Sequence, residues 1–250
     1  MKKTKSIINQ FHPVSLSEID KVKLMDRIDR KYWFHISLLN ELLEAAEPFY
    51  DILEINRNRL MQYRSVYFDT ADNFMYLKHH NRKLNRYKVR RRTYVSTNNN
   101  FFEIKLKTNK KRTIKNRIES NFSDEKIVDS ESAFLKEKTP FHSTELGKTL
   151  NNQFYRITLI HKNKLDRCTI DIQPEFWNKN GKVELKNLVI FELKRGKSLK
   201  ASPMVSILRT LKIRQRGLSK YCTGRAFLEP DLKQNAFKPR LRFIRRYIIN

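Results

Sequence analysis

Apolar and ionic side chains alternate with a period of two along segment after segment of this 250-residue chain. In 86–95, Arg86, Lys88, Arg90, Arg92 and Tyr94 fall on one side. In 101–108, Glu103, Lys105 and Lys107 oppose Phe102, Ile104 and Leu106. Lys115 and Arg117 alternate with Ile114 and Ile118, although Arg112 falls out of step. Arg167, Thr169 and Asp171 oppose Cys168, Ile170 and Ile172, and Glu192 and Lys194 oppose Val189, Phe191 and Leu193. Successive strand residues point to opposite faces, so each segment predicts a strand with one apolar and one ionic face. An antiparallel sheet with one wet face gives the same alternation. Here, however, the ionic faces are lopsidedly cationic, and like charges directly opposite one another weaken a ladder. Closed into a barrel, such strands would enclose a cationic lumen, a tunnel for a polyanion. It must be wet or occupied, because burying that many unpaired cations is prohibitive.

The remaining signals place helices around that sheet. Ser15-Leu-Ser-Glu18 is a capping box. Ser37 caps a second helix through Glu47, stopped at Pro48. Asp69 or Thr70 caps a short helix over 71–80. Ser202-Pro203 starts a helix running to about 213, and a last helix covers 219–228. Strands are expected at 62–68, 86–95, 101–108, 112–119, 153–161, 165–173 and 183–194, with the Asn-rich 96–100 joining two antiparallel neighbours. Residues 123–152 are polar, with helical spacing broken at Pro140. No linker divides the chain, which predicts one α+β domain over 1–230 and a basic-apolar tail over 231–250. In that tail Phe243, Ile244, Tyr247 and Ile248 lie among Arg242, Arg245 and Arg246. It reads either as an amphipathic helix for an acidic membrane or a partner protein, or as a solvated, fraying terminus.

Composition narrows the partner. Lys and Arg number 53 and Asp and Glu 26, a net charge of +27, which calls for nucleic acid, an acidic membrane surface or a polyphosphorylated molecule. The five glycines are too scattered for a phosphate-cradling loop, so side chains must hold any phosphates. Cys168 and Cys222 form no metal or disulfide pattern and read as free thiols of a reducing cytoplasm. No apolar run approaches the ~20 residues of a membrane span, and no apolar stretch follows the basic N-terminus to make a signal peptide. The expected location is the cytoplasm, or the inner membrane face if the tail anchors there.

Acids within a cationic channel are hard ligands for Mg²⁺ or Mn²⁺. Glu192 is the best single candidate, and from spacing alone a cross-strand salt bridge fits it equally well. Asp171 with Glu192-x-Lys194 also has the D…E-x-K spacing of a metal-dependent nuclease. That scheme leaves Arg90-x-Arg92 and the second E-x-K, at Glu103, without a role. A non-catalytic polyanion-binding module, with Tyr87, Tyr94 and Phe101 stacking bases, is a further alternative.

An ordered series of motifs carries a more specific resemblance. It comprises Arg30-Lys31-Tyr32, Val66-Tyr-Phe-Asp-Thr70, Lys88-Val-Arg90-Arg-Arg92-Thr-Tyr94 and Phe102-Glu103-Ile-Lys105. Ile114-Lys115-x-Arg117, Phe154-Tyr155-Arg156, Arg167-x-Thr169-Ile-Asp171, Phe191-Glu192-Leu-Lys194 and Ser219-Lys220-Tyr221 complete it. Over about 27–225 the chain resembles the polyphosphate polymerase domain of the vacuolar transporter chaperone type, within the triphosphate tunnel metalloenzymes. The resemblance implies a tunnel-shaped antiparallel β-barrel that transfers the ATP γ-phosphoryl group to a growing inorganic polyphosphate chain. In it Lys31, Arg90, Arg92, Lys105, Lys115, Arg156, Arg167, Lys194 and Lys220 would contact phosphates. Lys107, Arg117, Tyr155 and Ser219 would join Arg90, Arg92 and Lys105 around the nucleotide, and Glu192 and Glu103 would hold a divalent metal, Mn²⁺ or Mg²⁺. ATP and polyphosphate become the implied partners and nucleic acid does not; simple triphosphate hydrolysis in the same tunnel differs only in the attacking group. The chain departs from the family pattern at Lys107, where His is common, at Phe154, where Tyr is usual, and at Gly217, where a cation is usual.

Overall fold

The alternating segments pair into one sheet, antiparallel except for its smallest ladder. The computed structural model describes residues 2–20, 27–110, 112–120, 126–163, 166–196 and 202–249. Its strands are β1 (Pro13–Val14), β2 (Arg27–His35), β3 (Tyr50–Leu53), β4 (Met61–Thr70), β5 (Arg86–Tyr94), β6 (Asn99–Lys107), β7 (Thr113–Glu119), β8 (Leu146–His161), β9 (Asp166–Asn178), β10 (Gly181–Glu184) and β11 (Leu188–Gly196). The main path runs β2-β11-β9-β8-β4-β5-β6-β7, with β3 on β8, β10 on β9 and a parallel β1 on β3. The hydrogen-bonded path ends at β2 and β7 rather than closing, so the expected barrel is a curled sheet among the described residues. It curls far enough for Lys31 on β2 to act electrostatically on Lys88 of β5, and Lys105 of β6 on Glu192 of β11. One face thus becomes a cationic interior.

The helices are α1 (Lys2–Ile8), α2 (Leu16–Asp20), α3 (Leu39–Ala46), α4 (Phe74–His80), α5 (Asp129–Lys138), α6 (Pro203–Thr210), α7 (Lys220–Leu228) and α8 (Lys238–Ile244), the last continued by a π-helical turn over Arg245–Ile249. The apolar face of β2, β8, β9 and β11 packs under α1, α3 and α6, joining Phe34, Ile157, Ile170 and Phe191 to Ile7, Leu42, Leu43 and Met204. Each large aliphatic side chain buried this way contributes about 1.5–3 kcal/mol. A second core fills one end of the concave face. There Trp33, Tyr67, Leu150, Phe176 and Ile190 meet α7 and α8 through Leu218, Tyr221, Leu241 and Ile244. A third joins Val89, Phe102 and Ile104 to Met75 of α4 and Leu135 of α5.

Two expectations are corrected here, and one segment that carried none is a helix. Residues 146–152, with helical spacing, form the first half of β8, because Leu146 to Leu150 pair with Thr70 to Tyr67 on β4. The segment Lys2–Ile8 is a helix whose Ile7 and Ile8 are buried. The tail is helical rather than frayed, with Leu241, Ile244 and Ile248 buried while Tyr247 stays exposed. Phe243 meets Trp33 edge-on at 5.2 Å. No described helix is long and apolar enough to cross a membrane.

Candidate functional site

Strand register lines the concave face with rows of charge. Lys88 on β5 stands directly opposite Lys105 on β6, and Lys105 opposite Lys115 on β7. The next row is Arg90, Glu103 and Arg117. Across the sheet, Lys31 opposes Glu192, Glu192 opposes Thr169, and Lys194 opposes Arg167. Arg156 opposes Asp171. The three-lysine row puts like charges on consecutive strands, an arrangement that weakens a sheet unless an anion lies along it.

The environment acts on these lysines accordingly. Burial foremost, with Lys31, Arg86 and Arg90 adding to it against Cys222, pushes Lys88 down to about 8. Arg90 first, then burial, then Arg92, hold Lys105 well below the ordinary lysine range. Burial lowers Lys115, Lys194 and Lys220 too, each partly rescued by a neighbouring carboxylate. Each of these ammonium groups gains from a bound anion.

Three carboxylates punctuate the cations, and they are not equivalent. Glu103 has a fully buried side chain (0 % exposed), accepts from Arg90 Nε at 2.7 Å and pairs through its other oxygen with Lys115. Asp171 accepts from Arg156 Nε at 2.5 Å and Nη2 at 2.8 Å, and pairs with Lys220. In both, burial favours the neutral acid, but the surrounding cations win and hold the carboxyl far below its usual range. Glu192 is held only by Lys194 at 3.6 Å and Lys31 at 3.9 Å, and its side chain remains 23 % exposed. Despite burial, Lys194, Lys31, Arg156 and Lys105 push it down to about 2, so it is ionised at neutral pH. Among the described residues no group of three or more His, Cys, Asp or Glu could hold a metal unaided. A divalent ion that takes most of its ligands from phosphate and water needs one or two such oxygens. Glu192 fits that role; Glu103, with both oxygens committed to cations, does not.

α7 supplies the remaining groups. Ser219 caps it, its Oγ accepting from the Cys222 amide at 3.3 Å and from Lys88 Nζ at 3.0 Å. Lys220 then projects over the ring of Phe154 at 4.3 Å. Phe154 stacks on Tyr63 (centroids 5.3 Å apart, planes 6° apart), and the Arg92 and Arg156 guanidiniums lie over both rings at 4.9–5.7 Å. An aromatic pair surrounded by three cations holds those cations in place without neutralising them.

The structure therefore brings Lys31, Arg90, Arg92, Lys105, Lys115, Arg156, Arg167, Lys194, Lys220, Ser219 and Glu192 to one face. Lys107 sits at its end, opposite Arg86, and Arg117 lies on β7 with its guanidinium 4.5 Å from the Phe101 ring. Tyr155 is the exception. Arg156 faces the interior, so its neighbour faces the opposite way, and Tyr155 packs against the α1–α3–α6 core. Phe154 occupies the position expected of Tyr155. Lys88 was in the motif series without an assigned role, although its parity with Arg90 and Arg92 carried the signal. His79 had no signal. It stands among Lys88, Arg86, Arg240 and Lys31, and burial first and those cations second push its imidazole down to about 2.

Fold and site define an α+β protein built around a curled antiparallel sheet with a cationic, carboxylate-studded interior. The VTC domain model matches residues 26–229, and the chain belongs to the VTC domain family. Among proteins of curated function none matches the sequence. Among solved structures it is similar to a putative adenylate cyclase from Vibrio parahaemolyticus, at 10 % identity over 78 % of this chain and 94 % of that one (TM-score 0.47). It is similar also to one from Bacillus halodurans, at 14 % identity over 78 % and 94 % (TM-score 0.46). A putative adenylyl cyclase from Hippeastrum, described with a dominant triphosphatase activity, matches at 16 % over 81 % and 96 % (TM-score 0.45).

Proposed function

We propose that the chain is an ATP-dependent polyphosphate polymerase working inside this cationic interior. The observation that carries the proposal is the row Lys88–Lys105–Lys115, three cations directly opposite one another on consecutive strands, of which only Lys115, by its pairing with Glu103, has a carboxylate partner among the described residues. A chain of phosphates supplies several anions close together along such a row, and membership of the VTC domain family supports a substrate of that class.

In the reaction a terminal phosphate oxygen of the chain attacks the γ-phosphorus of ATP. The bond from that phosphorus to the β–γ bridging oxygen breaks, ADP leaves, and the chain is longer by one unit. Transfer of this kind asks the protein for position and charge neutralisation rather than for a nucleophile. Arg92 presents a guanidinium fork suited to two oxygens, Arg90 and Arg156 offer the donors that Glu103 and Asp171 leave free, and the lysines act as point charges. Glu192 is the side chain that would hold a divalent metal, and such an ion would supply charge neutralisation to the phosphates.

The test is incubation with ATP and Mn²⁺ and resolution of the products by gel. A ladder of phosphate chains from the wild type, absent from Glu192→Ala and Arg90→Ala, supports the proposal. Release of orthophosphate without chains would replace it by triphosphate hydrolysis. The nuclease alternative is weakened because Asp171 is saturated by Arg156 and Lys220; nicking of a plasmid with Mn²⁺ would restore it.

A further inference from the structure

A second cationic site lies outside the tunnel, on the opposite face of β2. Lys31 faces the interior, so Arg30 and Tyr32 face away from it. α6 covers that outer face with Met204 and Leu208 buried beneath it. The chain then reverses at Lys212 (φ 54°) and returns along the free edge of β2. There Gln215 pairs with Tyr32, and the Arg216 amide donates to the Lys31 carbonyl at 2.9 Å. Helix, turn and strand line an open surface cleft of about 460 Å³. Tyr32 and Leu208 lie in its floor, and Arg30, Arg209, Lys212 and Arg214 surround it.

This lining differs in kind from the tunnel. The tunnel cations are interleaved with Glu103, Asp171 and Glu192. Among the described residues the lining of the cleft includes no Asp, Glu, His or Cys. Among the described residues none of its four cations has an ion-pair or side-chain hydrogen-bond partner. Four like charges around one concavity raise its potential and favour an anion there. Three of them are guanidiniums, whose forks match phosphate oxygens, and the apolar floor accommodates a ligand that is not all charge. With no carboxylate among the described lining residues, these side chains supply no hard anionic ligand for a divalent ion.

We propose that the cleft between α6 and β2 is a second anion site that binds a small, multiply phosphorylated molecule without metal. It is separate from the polymerase proposal, and its failure shows in different variants. The test is calorimetric titration of the full chain with tripolyphosphate in EDTA. The wild type should bind at two sites per chain. The triple variant Arg209→Gln/Lys212→Gln/Arg214→Gln should lose one of them, weakened at least tenfold, and keep the other. Arg90→Ala should weaken the tunnel site and keep the cleft. Arg30→Gln, a single change on the strand itself, should weaken the cleft site several-fold and guards against a folding defect in the triple variant. Competition by ATP in the Arg90→Ala background would mark the natural ligand as a nucleotide, and absence of competition as an inorganic chain; both leave the cleft occupied. A single site that Arg90→Ala removes and the triple variant leaves unchanged would overturn the proposal.

Discussion

Glu192 and Glu103 occupy the same kind of strand position two residues before a lysine, yet their surroundings give them different work. Glu103 sits with no exposure between Arg90 and Lys115. Removing its charge leaves two cations facing each other in a buried place, a loss of about 3–5 kcal/mol for a broken buried pair. Glu103→Gln should therefore lower the melting temperature by roughly 10 °C, at about 2–4 °C per kcal/mol for a domain of this size. Glu192 has looser partners and partial exposure. Glu192→Gln should melt within a few degrees of the wild type while losing at least a hundredfold of its metal-dependent turnover. Thermal melts and product gels on the two variants separate these outcomes, and equal destabilisation would sink the division of roles. Beside them, Tyr155→Phe should leave ATP affinity unchanged in a nucleotide titration, because that ring lies in the core on the far face.

α7 is the element that turns a cationic sheet into a site, and its seat depends on one small residue. A Cβ built on Gly224 would lie 2.5 Å from the Phe176 ring and 2.8 Å from Leu150, so the helix rests on β8 and β9 through a bare backbone. The helix is tied down elsewhere too: Tyr221 donates to Asp69, whose other oxygen accepts the Met75 amide of α4 at 2.9 Å. Gly224→Ala should lose about 1–3 kcal/mol by overpacking and weaken tripolyphosphate binding as Ser219 and Lys220 shift from Lys88 and Asp171. Urea unfolding and a binding titration read both effects; a variant as stable and as tight as the wild type would show that α7 can lift freely. The extent of this element was readable from residues 219–228, while Ser219 as its cap emerges from the structure. The strand faces were readable for the same reason, since period two is a local property that survives any packing. What local signals missed has a long-range cause. Leu146–Leu150 is a strand only because β4 pairs with it, and although the tail offered an amphipathic helix, nothing local said that its apolar side is covered by Trp33 and the α7 core. The register slip between Gln153 and Tyr155 on β8, opposite the positive φ of Gln173 on β9, likewise left no mark that spacing could reveal.

The net charge of +27 belongs to the whole molecule, and the fold divides it between a tunnel, an outer cleft and the general surface. The tunnel share has a distinctive proton balance. Lys88 is pushed down to about 8 in the folded protein, while in the unfolded chain it keeps the ordinary value near 10.5. Between those values the unfolded state holds more protons, so the contribution of this lysine to stability rises with pH from about 8 to 10.5. A polyanion in the tunnel reverses the cause of the depression by supplying the missing opposite charge. Binding of tripolyphosphate near pH 8 should therefore take up protons, and affinity should fall as pH rises through that value. Titration in two buffers of different ionisation enthalpy measures the uptake directly. Lys88→Met should reduce it while leaving the acid-side behaviour of Glu192, about 2, in place. Heats that do not depend on the buffer would mean that Lys88 does not change its protonation on binding near pH 8, and would sink the claim that burial and its cationic neighbours hold it down to about 8 until a polyanion relieves them.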